Sequence, residues 1–334
     1  MSTREASHAG SWYTNDPDEL STELDNNLAR VPDTLDDDDL PISGARAIIA
    51  PHAGYSYSGP CAAWAYKALD LQNTKRVFVL GPSHYLPLSG CALTGFAEYD
   101  TPFGGLAVDR ETINKLMQTG RFRQMPRDYD VEEHSLEMHL PYLWKRLEQT
   151  HDGDSSKFPS IVPIVVGSVS AAQEKAFGDI LAPYLKDPEN AFIISSDFCH
   201  WGRRYKYRPL LYDGKLQNQD VDPSFTLKVS TGVLERLTVD NPPIHEIIKT
   251  LDDISLDAVQ SGVHDNFYKN CRETGNSVCG RHPIGIVMAA METAAEDGLP
   301  DEKGRFKVIH YDRSNLVNNP GEFSVSYVAA YAIM

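Results

Sequence analysis

Three short apolar runs, each closed by turn-forming residues and a histidine, set the pattern of the chain. Arg46-Ala47-Ile48-Ile49-Ala50 leads into Pro51-His52-Ala53-Gly54, and Arg76-Val77-Phe78-Val79-Leu80 leads into Gly81-Pro82-Ser83-His84. Ala191-Phe192-Ile193-Ile194-Ser195 leads into Ser196-Asp197-Phe198-Cys199-His200. Runs of this length, bounded by turn signals, predict strands buried in a parallel sheet. In an open α/β sheet ligands bind outside the carboxyl ends of the strands, so the three endings are expected to face one crevice.

Between these runs the periodicity becomes helical. Leu20, Leu24 and Leu28 recur at every fourth position and predict an amphipathic helix from Asp16 to Leu28. A helix from Pro60 to Leu69 joins the first two strands into a β-α-β unit with a right-handed crossover. Further helices are predicted from Arg110 to Gln118, from Glu132 to Gln149 and from Ser170 to Leu185. Pro141 either kinks the second of these or marks its first regular turn. Ser160 to Gly167 reads as a strand whose Pro163 argues against a fully paired central position.

The four aspartates Asp36 to Asp39 read as a solvated loop, and Arg203 to Pro243 as a polar excursion of weak periodicity. Beyond it, helices are predicted from Ile244 to Leu251, from Ser255 to Tyr268 and from Ile284 to Ala295, then a buried strand within Phe323 to Met334. No internal repeat and no linker rich in Gly, Ser or Pro divides the sequence. The expectation is an α/β fold, a single domain over residues 1–334 with a mostly parallel central sheet flanked by helices.

Composition narrows the function classes. The 334 residues, 41% of them hydrophobic, can fill a sizeable core. Forty-seven acidic against 31 basic residues give a formal charge of −16, which repels nucleic-acid phosphates and anionic membrane surfaces. No run approaches the roughly 20 apolar residues of a membrane helix. The N-terminal residues lack a secretory pattern. Five scattered cysteines do not form a secreted disulfide framework, so free thiols in a reducing compartment are expected. That compartment is the cytoplasm, with the nucleus as a second address.

His52 and His84 occupy matching contexts, each just past a strand and beside small neighbours that let a backbone approach a ligand. A lone histidine there more often bonds its own loop, but the repeated placement favours a metal or proton-transfer pair. Asp197 and His200, three residues apart, suit an acid–base group with its orienting partner. Capping of a turn by Asp197 is the structural alternative. Cys279 lies near a predicted helix N-terminus, where the macrodipole, Arg281 and His282 would lower its pKa; burial as an inert thiol is the alternative. Cys61, Cys91 and Cys271 lack that context. His134 and Glu137 fall on nearly one helical face, either as a ligand with its orienting partner or as a solvent-facing pair. Trp12 and Tyr57 either wall a pocket or pack into the interior.

The segments carrying these residues closely resemble the Memo family, named for mediating cell motility driven by receptor tyrosine kinases. They are Glu5-Ala6-Ser7-His8-Ala9-Gly10-Ser11-Trp12-Tyr13, Ala50-Pro51-His52-Ala53-Gly54-Tyr55, Leu80-Gly81-Pro82-Ser83-His84, Glu133-His134-Ser135-Leu136-Glu137-Met138-His139-Leu140-Pro141, Ser195-Ser196-Asp197-Phe198-Cys199-His200-Trp201-Gly202 and Cys279-Gly280-Arg281-His282-Pro283-Ile284. The excursion after Arg203 is longer than is usual in animal members, and the acidic tract is not part of the family pattern.

The resemblance implies the fold of class III extradiol ring-cleaving dioxygenases, in which two histidines and a glutamate hold a non-haem iron and another histidine is the acid–base catalyst. Carried over by motif, His52 and His84 match the histidine ligands, Cys279 takes the third ligand's place, His200 matches the catalytic histidine and Asp197 lines the same pocket. A thiolate in place of a carboxylate moves preference toward copper(I), zinc or thiolate-tolerant iron. Memo proteins are associated with copper and iron binding, redox activity and phosphotyrosine-peptide recognition. The resemblance therefore implies a redox metal, copper or iron with zinc as a further option, in a His/His/Cys cleft. Its role would be redox or metal homeostasis and cell-motility signalling, and any turnover would be that of a metal-dependent oxidoreductase. Two alternatives stand beside it. One is a non-catalytic adaptor for phosphotyrosine peptides, which the charge of −16 disfavours unless the cleft is locally positive. The other is a ring-cleaving dioxygenase, which the missing carboxylate ligand makes the least favoured.

Overall fold

The computed structural model describes residues 2–220, 226–296, 298 and 303–334. Nine strands make its central sheet: β1 (Ala45–Ala50), β2 (Arg76–Pro82), β3 (Cys91–Leu93), β4 (Phe122–Gln124), β5 (Ser160–Val166), β6 (Asn190–Ser195), β7 (His200–Trp201), β8 (Lys307–Arg313) and β9 (Ser324–Ile333). Their order is β7-β9-β1-β6-β2-β5-β3-β4, with β8 on the other edge of β9. The inner four, β1, β6, β2 and β5, run parallel, and β9 and β3 flank them antiparallel. The apolar runs are buried along their whole length in β1 and β6, as a sheet covered on both faces requires.

Register matters most for the site. Ser195 pairs with Ala50, and Ile194 with Leu80, so β1, β6 and β2 end side by side. The residues after each strand enter one shared edge, as expected for ligand sites of open α/β sheets.

Eleven α-helices are formed among the described residues: α1 (Pro17–Arg30), α2 (Tyr55–Ala68), α3 (Arg110–Gln118), α4 (Arg127–Glu132), α5 (His134–Glu137), α6 (Leu140–Thr150), α7 (Ala171–Lys186), α8 (Thr231–Asp240), α9 (Ile244–Gln260), α10 (His264–Thr274) and α11 (Arg281–Glu296). In α1, Asp16 caps the Asp18 and Glu19 N–H groups, and Leu20, Leu24 and Leu28 are buried. In α7, Ser170 and Gln173 form a reciprocal capping box. Helix α2 packs on β1 and β9 with α1 and α6 beside it, while α7 and α11 pack on each other and against β6.

Several local expectations change. Helix α2 begins at Tyr55 and contains Pro60; the carbonyl that Pro60 leaves unpaired belongs to exposed Ser56, where water can satisfy it. The helix expected from Glu132 to Gln149 is three pieces, interrupted at Glu133 and at Met138–His139, with Pro141 in the first turn of α6. Pro163 lies in an interior strand, yet the ladder to β3 begins only at Ile164, after the proline.

The aspartate tract closes a two-residue hairpin turn. Thr34–Leu35 pairs with Asp38–Asp39 while Asp36 and Asp37 adopt φ of 49° and 73°, as a type I′ turn requires. The polar excursion contains a hairpin (Pro209–Tyr212 with Lys215–Asn218) and α8, packed over a second apolar cluster around Trp201, Leu216, Leu237 and Leu251. Its residues 221–225 lie outside the described residues. Helix α9 runs through the break expected at 252–254, and α10 follows as a separate helix. Strand β8 carried no signal in the apolar pattern. No helix among the described residues is long and apolar enough to cross a membrane.

Candidate metal centre

His52 stands on the turn after β1, buried to 2% exposure. Its main-chain N–H donates to Asp197 Oδ1 at 2.9 Å, which fixes the turn against the end of β6. Its ring Nδ1 lies 2.6 Å from Ser195 Oγ, and that hydroxyl donates its proton to the Ser135 carbonyl at 2.7 Å. Ser195 must therefore accept from His52, which places the N–H on Nδ1 and the lone pair on Nε2. Burial drives this imidazole well below its ordinary pKa, with the neighbouring His84 and His134 adding to the effect.

His84 is held at the end of β2 by a carboxylate. Glu133, fully buried, accepts the His84 main-chain N–H at 2.7 Å and faces ring Nδ1 at 2.9 Å. An ionised carboxylate only accepts, so His84 carries a proton on Nδ1, and in the neutral ring Nε2 is the atom left with a lone pair for a ligand. Burial alone would raise Glu133, but the hydrogen bond and charge of His84 hold it below the usual range. Close approach of α5 is possible because residue 81 is glycine; a Cβ there would overlap the Ser135 side chain.

Cys279 comes from the loop between α10 and α11. Its Sγ is 3.3 Å from His52 Nε2 and accepts the Asp197 N–H at 3.2 Å. Gly280 lets this loop lie on β6, since a Cβ would overlap the Ser195 carbonyl and Ser196. One donor atom from each of His52, His84 and Cys279 falls within 4.8 Å of the others.

The thiol pKa runs against expectation. Burial pushes Cys279 far up, and the Asp197 carboxylate adds to it, so the helix end does not lower it. The two expected helpers are engaged elsewhere. His282 Nδ1 pairs with Glu174 at 2.6 Å, and Arg281 lines a cavity with Cys271 and Arg272.

The expected Asp197–His200 hydrogen bond is also not formed. His200 Nδ1 donates to the carbonyls of Phe198 (2.8 Å) and Ser277 (3.0 Å) and so carries a proton there. Asp197 instead caps the His52 turn, and burial raises its pKa against the charge of His200.

The whole chain carries the pattern of one family: residues 4–331 match the model described as Memo-like protein. The chain belongs to the Memo family. It is 38% identical over 326 residues to Protein MEMO1 of Homo sapiens, covering 98% of this chain and 96% of that protein. Protein MEMO1 of Danio rerio is 39% identical over 335 residues, covering 100% and 98%. The memo-1 homolog of Caenorhabditis elegans is 37% identical over 327 residues, covering 98% and 81%. The mostly parallel sheet with flanking helices is consistent with an extradiol dioxygenase-like fold.

In this Memo-family chain the expected His134–Glu137 pair is replaced by two separate arrangements, because the segment is broken around α5. Glu137 is buried and accepts from Arg4 Nη1 (2.7 Å), the His8 main-chain N–H (2.8 Å) and ring (2.9 Å), and Tyr13 Oη (2.8 Å). His134 turns the other way and stacks between Trp12 and His84, with ring centroids at 4.4 and 4.3 Å. Its Nδ1 is buried without a hydrogen-bond partner, and burial, then His84, lowers its pKa to about 3.

Trp12 and Tyr57 do line a cleft, of about 750 Å³, with Arg204, Tyr205 and Phe323. Tyr57 stands on its rim at 60% exposure. Glu133, Ser195 and Ser135 are the site residues that sequence reasoning missed. Glu133 lay within a recognised motif, but its role follows from the helix break, which the apolar pattern does not reveal.

Proposed function

We propose that this Memo-family protein binds a redox metal, copper or iron, through His52 Nε2, His84 Nε2 and Cys279 Sγ. Its role would be redox or metal homeostasis, coupled to cell-motility signalling. The observation that carries this reading is the orientation of the two imidazoles. Ser195 and Glu133 each occupy an Nδ1, so both Nε2 lone pairs are available at the strand ends where Cys279 arrives. Two nitrogens and a soft sulfur fit copper(I), zinc or thiolate-tolerant iron better than an oxygen-rich triad fits them.

When bound, such an ion supplies one-electron exchange or Lewis acidity. The chain's own groups do the rest. Asp197 holds the His52 turn in place, and His200, whose Nδ1 is committed to two main-chain carbonyls, offers Nε2 as the proton-transfer atom of the cleft. Cys279 in place of a carboxylate ligand keeps ring cleavage the least favoured chemistry. All five cysteines are free thiols, in keeping with a reducing cytoplasmic setting.

The test is copper(I) and iron(II) titration of wild type, Cys279→Ser and His52→Ala. Loss of a ligand should weaken binding at least about tenfold. Unchanged affinity for both ions in both variants would reject the site.

A second reading, recognition of a phosphotyrosine peptide, draws on the neighbouring cleft. Arg204 lies over the Tyr205 and Phe323 rings there and gives a local cation between aromatic walls. Equal binding of phosphorylated and unphosphorylated peptides, or no effect of Arg204→Ala, would exclude it.

A further inference from the structure

His134 is the residue that the His/His/Cys set leaves without a task. It is more than nine-tenths buried, and its Nδ1 has no partner among the described residues. Imidazole nitrogens kept from water normally find a donor or acceptor, so an orphan at this place needs a reason. This Nδ1 lies 3.8 Å from Glu133 Oε1, and that same oxygen is 2.9 Å from His84 Nδ1. One donor atom each from His84, Glu133 and His134 lies within 4.8 Å of the others. Donors around an ion with bonds of about 2.1 Å stand roughly 3 to 4 Å apart, so small movements suffice.

We infer that His84, Glu133 and His134 form a second, harder site for a divalent cation, in competition with the His/His/Cys site. The donor set is two nitrogens and a carboxylate oxygen, which suits manganese(II) or iron(II) and lacks the sulfur that favours copper(I). Competition follows from His84, the residue common to both sets. A neutral imidazole carries one lone pair. Binding beside Cys279 uses Nε2 and leaves the proton on Nδ1, facing Glu133. Binding beside Glu133 displaces that proton from Nδ1, so it moves to Nε2 and faces the first site. Each occupancy thus fixes the His84 tautomer against the other, and the protein holds one metal class at a time.

The inference shares His84 with the proposed function but does not need Cys279. Its test uses manganese(II), followed by loss of the free-ion electron paramagnetic resonance signal, and copper(I) in parallel titrations. The forms compared are wild type, Cys279→Ser and His134→Phe, the last keeping an aromatic ring between Trp12 and His84. His134→Phe should weaken manganese(II) at least about tenfold and leave copper(I) within about twofold, and Cys279→Ser should do the reverse. One equivalent of copper(I) should displace manganese(II) from wild type. Manganese(II) affinity equal in wild type and His134→Phe, including none in either, overturns the second site and leaves the first untouched. Independent, simultaneous binding of both ions overturns the competition. Manganese(II) binding that depends on His134 in a protein blind to copper(I) rejects the first site and upholds the second.

Discussion

Cys279 enters the cleft as a protonated thiol, because burial and the Asp197 carboxylate both oppose the thiolate. A metal must displace that proton on binding. His52, driven neutral by burial, adds no competing proton near pH 7. One proton released from the thiol makes copper(I) binding strengthen by about tenfold per pH unit from neutrality upward, until the raised thiol pKa is reached. Competition titrations between pH 7 and 9 check this; a pH-independent affinity contradicts it, and Cys279→Ser should flatten the profile. At this scale His52 and His84 were legible because each follows an apolar run directly, and Cys279 because its motif matched. The direction of the thiol pKa was not legible, since desolvation and the nearness of Asp197 arise only when residues far apart in sequence meet.

Among the elements, the short helix α5 decides the geometry around His84 and His134, and a buried latch fixes α5. Arg4, fully buried, bonds Glu137 and the carbonyls of Asp130, Val131 and Glu133, fastening the N-terminal segment to both sides of the helix break. Burial would raise Glu137, but His8 and Arg4 outweigh it and hold the carboxyl at about 2, below its ordinary 4.5. A depressed carboxyl stabilises the fold fully above its unfolded pKa, and that contribution is lost as pH falls from about 4.5 through about 2. Glu137→Gln removes the closer of the two carboxylates that face Arg4, at 2.7 Å against 3.6 Å for Asp130, and should cost about 3 kcal/mol at neutral pH. Chemical denaturation at pH 7 and pH 3 tests this: the variant's deficit should shrink at the lower pH, and an equal deficit at both would contradict the latch. The strands of the parallel core were readable from β-branched runs, and α1 from its leucine spacing. The break in Glu132 to Gln149 was not, because its local composition is helical and the interruption is imposed by tertiary bonds to Glu133 and Glu137.

For the molecule as a whole, the fold class was legible because parallel strands are buried on both faces and read as unbroken apolar runs. Strand β9 was legible as the closing apolar run, whereas β8 depends on its pairing with β9 and the hairpin of the excursion lies in a polar stretch of weak periodicity, neither of which period-counting captures. The candidate site is likewise non-local. His52 and Cys279 stand 227 positions apart, so a metal shared by them is bound by the folded state alone. Copper(I) at a hundredfold excess over its Kd should therefore stabilise the protein by about 2.7 kcal/mol. Calorimetry should register a rise in Tm of several degrees, absent in Cys279→Ser; an equal rise in the variant would place the ion elsewhere. Joining the chain at those two points also gives the ion the standing of a reversible cross-link. It closes a loop of more than two-thirds of the polypeptide, so the segment that carries Cys279 cannot leave the end of β1 until the ion departs. The protein's lifetime against unfolding would then be timed by metal release, and a chelator would act on it as a reductant acts on a disulfide.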